Sequence, residues 1–166
     1  MKLYIKQKVF SWRDKFRIFN EYGEEAFHAE GEVFTLGKKL HLYSNEGYEL
    51  SYIHQKVFSF LPRYFISVGG NDVAEVVKRF TFIKQKYEIS GVGWNVLGDF
   101  FAHEYMINDS MGNVVASISK RWMTWGDTYE IDIINPDNAT MVLSTVLVID
   151  AAMAQSAAAS AAASSN

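Results

Sequence analysis

The sequence predicts a mainly β fold, namely a closed antiparallel barrel of about 12 strands around a central hydrophobic C-terminal α-helix. Three observations predict it. A fixed spacing of large and aliphatic residues recurs six times, turns rich in Gly and Asn separate the copies, and one segment near the C-terminus is apolar on every side. A helix that is apolar all round is buried, either in a protein core or in a membrane.

The repeat has a start position, a large residue eight positions later and an aliphatic residue ten positions later. Apolar residues alternate at period two on both sides of short polar segments such as 13–15 and 61–63, so each copy is predicted to be a β-hairpin. The fifth copy is the weakest, because Gly98 and Asp99 replace its apolar pair. The large and aliphatic positions are Phe16/Ile18, Leu40/Leu42, Tyr64/Ile66, Tyr87/Ile89, Tyr105/Ile107 and Tyr129/Ile131.

Closure of the sheet follows from the number of strands. Gly and Asn supply the positive φ of the tight turns between copies, so consecutive hairpins form an antiparallel meander. A meander of about twelve strands either splits into two layers or curls into a barrel. With a strand spacing of ~4.8 Å and a tilt of ~40°, the backbone radius is roughly 12 Å, which accommodates one helix. The sequence supplies one such helix, so the barrel is favoured over a sandwich.

The helix is predicted over residues 138–154, within a single domain of residues 1–154. Asn135 or Asp137 is the candidate cap, and Pro136 is tolerated in the first turn. Apart from Gln155 and Asn166, residues 155–166 are Ala and Ser, and they have no apolar stripe. We therefore expect a poorly specified tail that extends the helix at most by fraying.

Asp150 ends the uncharged apolar run of the helix. The run is shorter than the ~20 residues of a membrane span, so a membrane anchor is disfavoured. Either Asp150 marks the point where the helix leaves the barrel mouth, or it is a buried carboxylate paired with a strand Lys or Arg. The first interpretation is favoured, because burial of an unpaired charge costs several kcal/mol.

Composition bounds the class of protein. The chain has 166 residues, 49% of them hydrophobic and 15% aromatic, which suits one domain with a sizeable core. A net charge of −3 is too mild to indicate a nucleic-acid partner, and the lack of Cys excludes disulfides and thiolate metal sites. The N-terminal segment has charges every few positions and no apolar signal region, so we expect a cytoplasmic protein, in solution or peripheral to a membrane.

Three long motifs carry a family resemblance: Tyr52–Tyr64, Val76–Ile89 and Ser117–Ile133. They resemble the LURP-one-related family, specifically its bacterial YxjI-like members, within the tubby-like superfamily. The resemblance covers residues 1–154 and implies a twelve-stranded barrel around a hydrophobic C-terminal helix. It implies little function, since the family is largely uncharacterised and its plant members are linked to defence. Tubby proteins bind membrane phosphoinositides through basic residues, but those residues do not map onto positions of this chain.

The sequence contains no catalytic constellation. It lacks a nucleophile elbow and a phosphate loop, and the Gly91-x-Gly93 pair leads into a strand without a third glycine. His103 and Glu104 with Asp99 are the one cluster that resembles metal ligands, but solvated turn residues are the favoured interpretation. We therefore predict a protein that is not an enzyme and holds no metal and no cofactor. The histidines stand singly, at His28, His41, His54 and His103.

Aromatic residues recur in the predicted hairpins, and we expect most of them to form core against the helix. Any that point outward at a rim are candidates to enter a membrane interface. The residues are Trp12, Trp122, Trp125, Phe58, Phe60, Phe80 and Phe82.

Charge is distributed unevenly between the predicted turns. In a meander, the turns inside hairpins lie at one end of the barrel and the turns between hairpins at the other. The first set carries seven basic and three acidic residues, whereas the second carries seven acidic and no basic residues. The predicted anion-binding residues are Arg13, Lys15, Lys38, Lys39, Arg63, Lys84 and Lys86.

This polarity favours a non-enzymatic binding module that presents a basic rim to anionic phospholipid headgroups, such as phosphoinositide-like lipids, or to another anionic ligand. A solvated rim whose charges only aid solubility is the competing interpretation. The alternative function is a structural or protein-interaction scaffold, whose unknown partner would bind the barrel wall or the acidic rim.

Overall fold

The computed structural model describes residues 1–6, 16–80, 85–123 and 126–164. Within these ranges twelve strands form one closed antiparallel barrel in chain order, and pairing of β1 with β12 closes it. The predicted fold class is confirmed. The strands are β1 (Lys2–Lys6), β2 (Phe16–Asn20), β3 (Glu25–Gly31), β4 (Lys39–Ser44), β5 (Glu49–Gln55), β6 (Arg63–Val68), β7 (Asn71–Phe80), β8 (Gln85–Ser90), β9 (Trp94–Asp99), β10 (Glu104–Asn108), β11 (Val114–Met123) and β12 (Gly126–Ile133).

The repeated large and aliphatic positions all point into the barrel. Every one of the six aliphatic residues is at most 1% exposed, and the large residues are also buried. In β2, β4, β6 and β10 the pairing register shifts immediately after this aliphatic residue. Such bulges increase local twist and bend the strand, so the repeat sets the curvature of the wall as well as its inner face.

The barrel is filled by helix α1, Ala139–Ser164, which follows a short 3-10 turn, Pro136–Asn138. Asn135 caps the turn, because its Oδ1 accepts a hydrogen bond from the Asp137 amide at 3.1 Å. The helix is buried continuously from Val142 to Ala152. By length and composition alone the segment Pro136–Ser164 could cross a membrane, but most of its apolar window is buried in the barrel.

Helix α1 is longer than predicted, since it continues to Ser164 and is exposed from residue 157 onward. Ala is the strongest helix former, so the helix continues after its apolar contacts have ended.

One polar contact fixes helix α1 inside the wall. Ser51 Oγ lies 2.6 Å from Ser144 Oγ, and the Ser144 hydroxyl donates to the Thr140 carbonyl at 2.7 Å, so Ser51 is the donor of the first bond.

The two ends of the barrel differ in the length of their connections. At the turn end, strands are joined by tight turns at 21–24, 45–48, 69–70, 91–93 and 109–113. At the loop end, the connections include residues 32–38, 56–62 and 100–103. The 56–62 loop is longer than the predicted turn at 61–63. Helix α1 enters at the turn end, after β12, and leaves at the loop end, where Gln155 reaches Gln55.

Candidate functional site at the loop end

Large apolar side chains stand exposed on the loops of this end. Phe34 is 96% exposed, Phe58 is 99% exposed, and Phe60 is fully exposed, with Leu36 and Phe101 largely so. The prediction that Phe58 and Phe60 form core against the helix is wrong. Strand β5 and its pairing with β6 end at Gln55, so both phenylalanines belong to a loop beyond the wall. The other predicted core aromatics lie outside the described side chains: Trp12, Phe80, Phe82, Trp122 and Trp125.

Phe34 and Phe58 share an unusual backbone conformation. Their φ angles are 61° and 62°, and both stand third in related segments, E-V-F-T-L and K-V-F-S-F. Positive φ is uncommon for a bulky residue and costs on the order of 1–3 kcal/mol. The same strained step therefore occurs in two neighbouring loops, each time under an exposed phenylalanine.

The loops 32–38 and 56–62, here called the loop pair, are attached to each other and to the helix. The Lys38 amide donates to Gln55 Oε1 at 3.1 Å, and the Gln55 amide donates to the Lys38 carbonyl at 2.8 Å. Gly37 lies so close to Val57 that an added Cβ would come within 3.1 Å of Val57 Cγ2. Gln55 Nε2 donates to Gln155 Oε1 at 3.1 Å. A fixed base therefore carries the exposed phenylalanines.

Three of the predicted rim cations belong to strands and are paired with strand or strand-end carboxylates. They lie at the first or second residue of β4, β6 and β8, so the prediction that they stand in turns is wrong. Because each cation already faces a carboxylate of the protein, it offers less net positive charge to an anionic ligand. The pairs are Lys39–Glu32 at 3.2 Å, Arg63–Glu75 at 2.9 Å and Lys86–Glu88 at 3.4 Å. The remaining predicted cations Arg13, Lys15 and Lys84 lie outside the described residues.

Lys38 and Lys56 stand in the loop pair itself. Burial lowers the pKa of Lys38 to about 8, so its ammonium group is partly desolvated. A cavity of about 450 Å³ lies between Lys38, Phe34 and Gln155. Lys56 is exposed and is not among the anion-binding residues predicted from the sequence. A longer loop brings it beside the phenylalanines.

Counted on the described connections, the two ends differ in charge. The loop-end connections 32–38, 56–62 and 100–103 contain two basic residues and one acidic residue, whereas the turn-end segments, including 134–138, contain five acidic and no basic residues. The basic residues of the described loop-end connections are Lys38 and Lys56, and the acidic residue is Glu32. The acidic residues of the turn end are Glu21, Glu24, Glu46, Asp109 and Asp137.

Asp150 is buried inside the barrel, close to the loop end, and neither expectation for it holds. It does not mark the mouth, and its polar contacts among the described residues are with Tyr129 and His103 in place of a strand Lys or Arg. The Tyr129 hydroxyl donates to Asp150 Oδ2 at 2.5 Å, and His103 Nδ1 lies 3.7 Å from Asp150 Oδ1. Burial raises the pKa of Asp150 to about 7, against the lowering effect of the Tyr129 hydrogen bond. A protonated or hydrogen-bonded carboxyl replaces the unpaired charge that burial would otherwise penalise.

The suspected metal cluster is not a cluster. His103 is buried and stacks on Tyr129 with ring centroids 4.4 Å apart, contrary to the expectation of a solvated turn residue. Asp99 Oδ1 accepts from the Ala102 amide at 3.0 Å, and Glu104 Oε1 accepts from the Lys120 amide at 2.9 Å. Across the described ranges, no three His, Asp or Glu side chains converge as metal ligands.

The other histidines lie on the outer wall in a row of stacked rings that crosses β3 to β6. His41 is bonded on both sides, to Glu49 at 2.7 Å and to Glu32 at 3.0 Å. Burial lowers the pKa of His41, but the two carboxylates outweigh it and the net pKa is raised. The row is a structural feature of the wall, and it meets the loop pair only at Glu32 among the described contacts. Its rings belong to His28, Tyr43, His41, Tyr52, His54 and Phe65.

These features define a class of protein: a β-barrel closed on its own C-terminal helix, with the Asp150, Tyr129 and His103 cluster inside and exposed phenylalanines on neighbouring loops at one end. The sequence profile of the LURP-one-related family matches residues 1–150, and the chain belongs to that family.

Two comparisons agree with this assignment. The chain is 40% identical to the uncharacterised protein YxjI of Bacillus subtilis (strain 168) over 150 residues, which cover 90% of this chain and 92% of the relative. An X-ray structure of an Arabidopsis thaliana protein has a similar fold, with a TM-score of 0.63, 16% sequence identity and 90% of each chain covered. At that identity the likeness concerns the fold alone.

Proposed function

We propose that this protein is a non-enzymatic binding module that docks its loop end on an anionic phospholipid surface, at the cytoplasmic face of a membrane. The observation that carries the proposal is the coincidence, in the loop pair, of exposed phenylalanines with Lys38 and Lys56. An anionic surface provides both a negative potential for the lysines and an apolar layer for the rings.

The opposite charges of the two ends give the docking a direction. Basic residues near an anionic bilayer contribute about 1 kcal/mol each, and acidic residues at the same distance are repelled. A chain with net charge −3 is therefore attracted in one orientation only, with the loop end toward the lipid and the turn end away. The strand cations that are already paired with carboxylates contribute less.

A non-enzymatic role is supported by the position of the titratable cluster. Asp150 and Tyr129 are almost wholly buried between helix and wall, as is most of His103. A substrate would have to displace helix α1 or cross the wall to reach them. Binding sites for small molecules are normally clefts with a few convergent polar groups, and the barrel interior is instead occupied by the protein's own side chains.

The proposal is tested by co-sedimentation with vesicles. We expect binding to vesicles of phosphatidylserine and phosphatidylcholine at low salt, weaker binding at high salt, and little binding to pure phosphatidylcholine. The double variant Lys56→Glu, Glu46→Lys keeps the net charge but moves positive charge from the loop end to the turn end. Its affinity should fall by about tenfold or more. Equal binding to neutral and anionic vesicles would overturn the proposal.

The alternative function is a protein-interaction scaffold that binds a partner through the barrel wall or the acidic turn end. It predicts no lipid binding at any salt concentration. It also predicts that the charge swap at residues 46 and 56 affects capture of a protein partner through loss of Glu46. The vesicle experiment therefore discriminates between the two roles.

A further inference from the structure

We propose, resting on the function proposed above, that Phe34, Phe58 and Phe60 penetrate the bilayer interface. The ligand of the loop end is then an intact anionic bilayer, and soluble phospholipid headgroups are poor substitutes. The phenylalanines supply the apolar part of the binding and Lys38 and Lys56 the electrostatic part.

The exposure of these side chains is built into the fold. Phe34 and Phe58 make almost no contact with the rest of the molecule, although both sit on a backbone with positive φ that a phenylalanine adopts only at a cost. The strain is maintained by the hydrogen bonds between Lys38 and Gln55 at the base of the loop pair. A strained backbone that exposes a large ring in two adjacent loops indicates a binding role rather than a packing role.

The shape of the surface favours a bilayer over a protein partner. A stable protein interface buries about 800 Å² on each side and requires a complementary surface. Phe58 and Phe60, with Ser59 between them, are each almost fully exposed, so their rings pack neither on each other nor on the loop and protrude instead of forming a continuous face. The fluid boundary between headgroups and acyl chains accepts protruding aromatic rings of any spacing.

Charge distinguishes this end from the other one. The turn end also exposes apolar side chains, Tyr22, Tyr48 and Met111. They lie next to acidic residues, such as Glu46 two positions before Tyr48, whereas Phe58 lies two positions after Lys56. An anionic bilayer repels exposed rings that lie beside acidic residues and attracts rings that lie beside lysines, so only the loop end is expected to insert.

Insertion is measured directly with a single label, because the chain contains no Cys. An environment-sensitive fluorophore on Phe58→Cys should shift to the blue on addition of anionic vesicles and be quenched by lipids brominated in the acyl chain. The matched control is Met111→Cys, an exposed apolar position at the turn end, where neither signal should change. An unchanged Phe58→Cys signal during binding would overturn the insertion.

A second variant separates insertion from folding. Phe34→Gly with Phe58→Gly removes both rings, and glycine adopts positive φ readily, so the barrel should stay folded. Affinity for anionic vesicles should fall by about tenfold for each ring removed. The control Tyr22→Ser with Tyr48→Ser removes two exposed rings from the turn end and should bind as the parent does.

The outcomes separate the two proposals. If the glycine variant binds vesicles like the parent while the charge swap does not, insertion is wrong and headgroup binding stands. If glycerophosphoserine in solution competes with vesicles at equal headgroup concentration, insertion is also wrong. If the parent binds no anionic vesicle, both proposals fail. If the glycine variant and the charge swap both lose binding and the controls do not, both are supported.

Discussion

The hydroxyl of Tyr129 and the carboxyl of Asp150 are joined by a 2.5 Å hydrogen bond inside the barrel. It links the last strand to the only charged residue of helix α1. Burial raises the pKa of Asp150 to about 7, so this group binds its proton near neutral pH. Burial of the Asp150 carboxyl therefore makes the seating of the helix depend on pH.

We expect Asp150→Asn to remove a pH dependence of stability. The pKa of Asp150 rises from 3.8 in the unfolded chain to about 7 in the folded protein. Its favourable contribution is complete below pH 3.8 and is lost, at about 1.4 kcal/mol per pH unit, as the pH rises toward 7. The amide still accepts from Tyr129, so the variant should gain stability relative to the parent as the pH rises. Urea unfolding across this range measures the difference.

The control for this prediction is Glu46→Gln, which neutralises an exposed carboxylate at the turn end. Its stability should run parallel to that of the parent across the same pH range. A parallel profile for Asp150→Asn would show that Asp150 does not hold its proton more tightly in the folded state.

His41→Gln should destabilise the protein mainly at acid pH. The carboxylates of Glu32 and Glu49 raise the pKa of His41 in spite of the effect of burial. A raised pKa contributes stability that is complete below the unfolded value of 6.5 and is lost as the pH rises through the folded value. The loss should be about 1 kcal/mol or less, since the group is partly exposed. An NMR titration that gives His41 a pKa below 6.5 would contradict the expectation.

Phe58→Gly and Phe58→Val should differ in stability although the side chain contacts almost nothing. At a φ of 62° a β-branched residue is strongly disfavoured, so the valine variant should lose about 1 kcal/mol or more. The glycine variant escapes the Cβ penalty but gains entropy in the unfolded chain, and we expect stability close to that of the parent. Denaturant titration compares them, and equal stability of the two variants would argue against the positive φ.

Gly98→Ala should destabilise the barrel by more than about 2 kcal/mol. Gly98 has a φ of 146°, and an added Cβ would lie 2.4 Å from the Glu104 carbonyl oxygen and 2.5 Å from Tyr105 Cα. Neither the carbonyl nor the Cα can move without breaking the β9–β10 pairing. This close approach explains why the fifth copy of the repeat has a glycine in place of an apolar residue.

The matched control is Gly47→Ala. Gly47 also has positive φ, at 89°, but nothing lies within 4 Å of its added Cβ. It should lose only about 1 kcal/mol from backbone strain. Thermal unfolding of both variants separates strain from contact, and similar losses would mean that strand approach at Gly98 is unimportant.

The barrel wall could be predicted from the sequence because one local pattern determines it. Residues two positions apart on one strand lie on the same face of the sheet, so the large and aliphatic positions of each copy, such as Tyr87 and Ile89, had to point one way. A helix without a polar face had to be enclosed. The bulges after Ile18 and its counterparts follow the same repeat, although pattern alone did not reveal them.

The loop end and the core polar group could not be predicted, because both depend on contacts distant in sequence. Phe58 and Phe60 stand three and five positions beyond Gln55, and only the end of pairing with β6 at that residue shows that they belong to a loop and not to the wall. In the same way, Asp150 meets Tyr129 and His103 only after the helix enters the barrel. The ion pairs that neutralise Lys39 and Arg63 also join residues seven and twelve positions apart.

The pairing of β1 with β12 has a consequence for how the protein is made. Lys2 lies opposite Asp132, so during synthesis one edge of β1 stays unpaired until β12 has been made. Until then the growing chain has two unpaired strand edges and no helix to cover its apolar inner surface, the condition in which nascent chains associate wrongly. The closing step thus brings together both ends of the domain, and a truncated translation product that lacks β12 has no route to the native barrel.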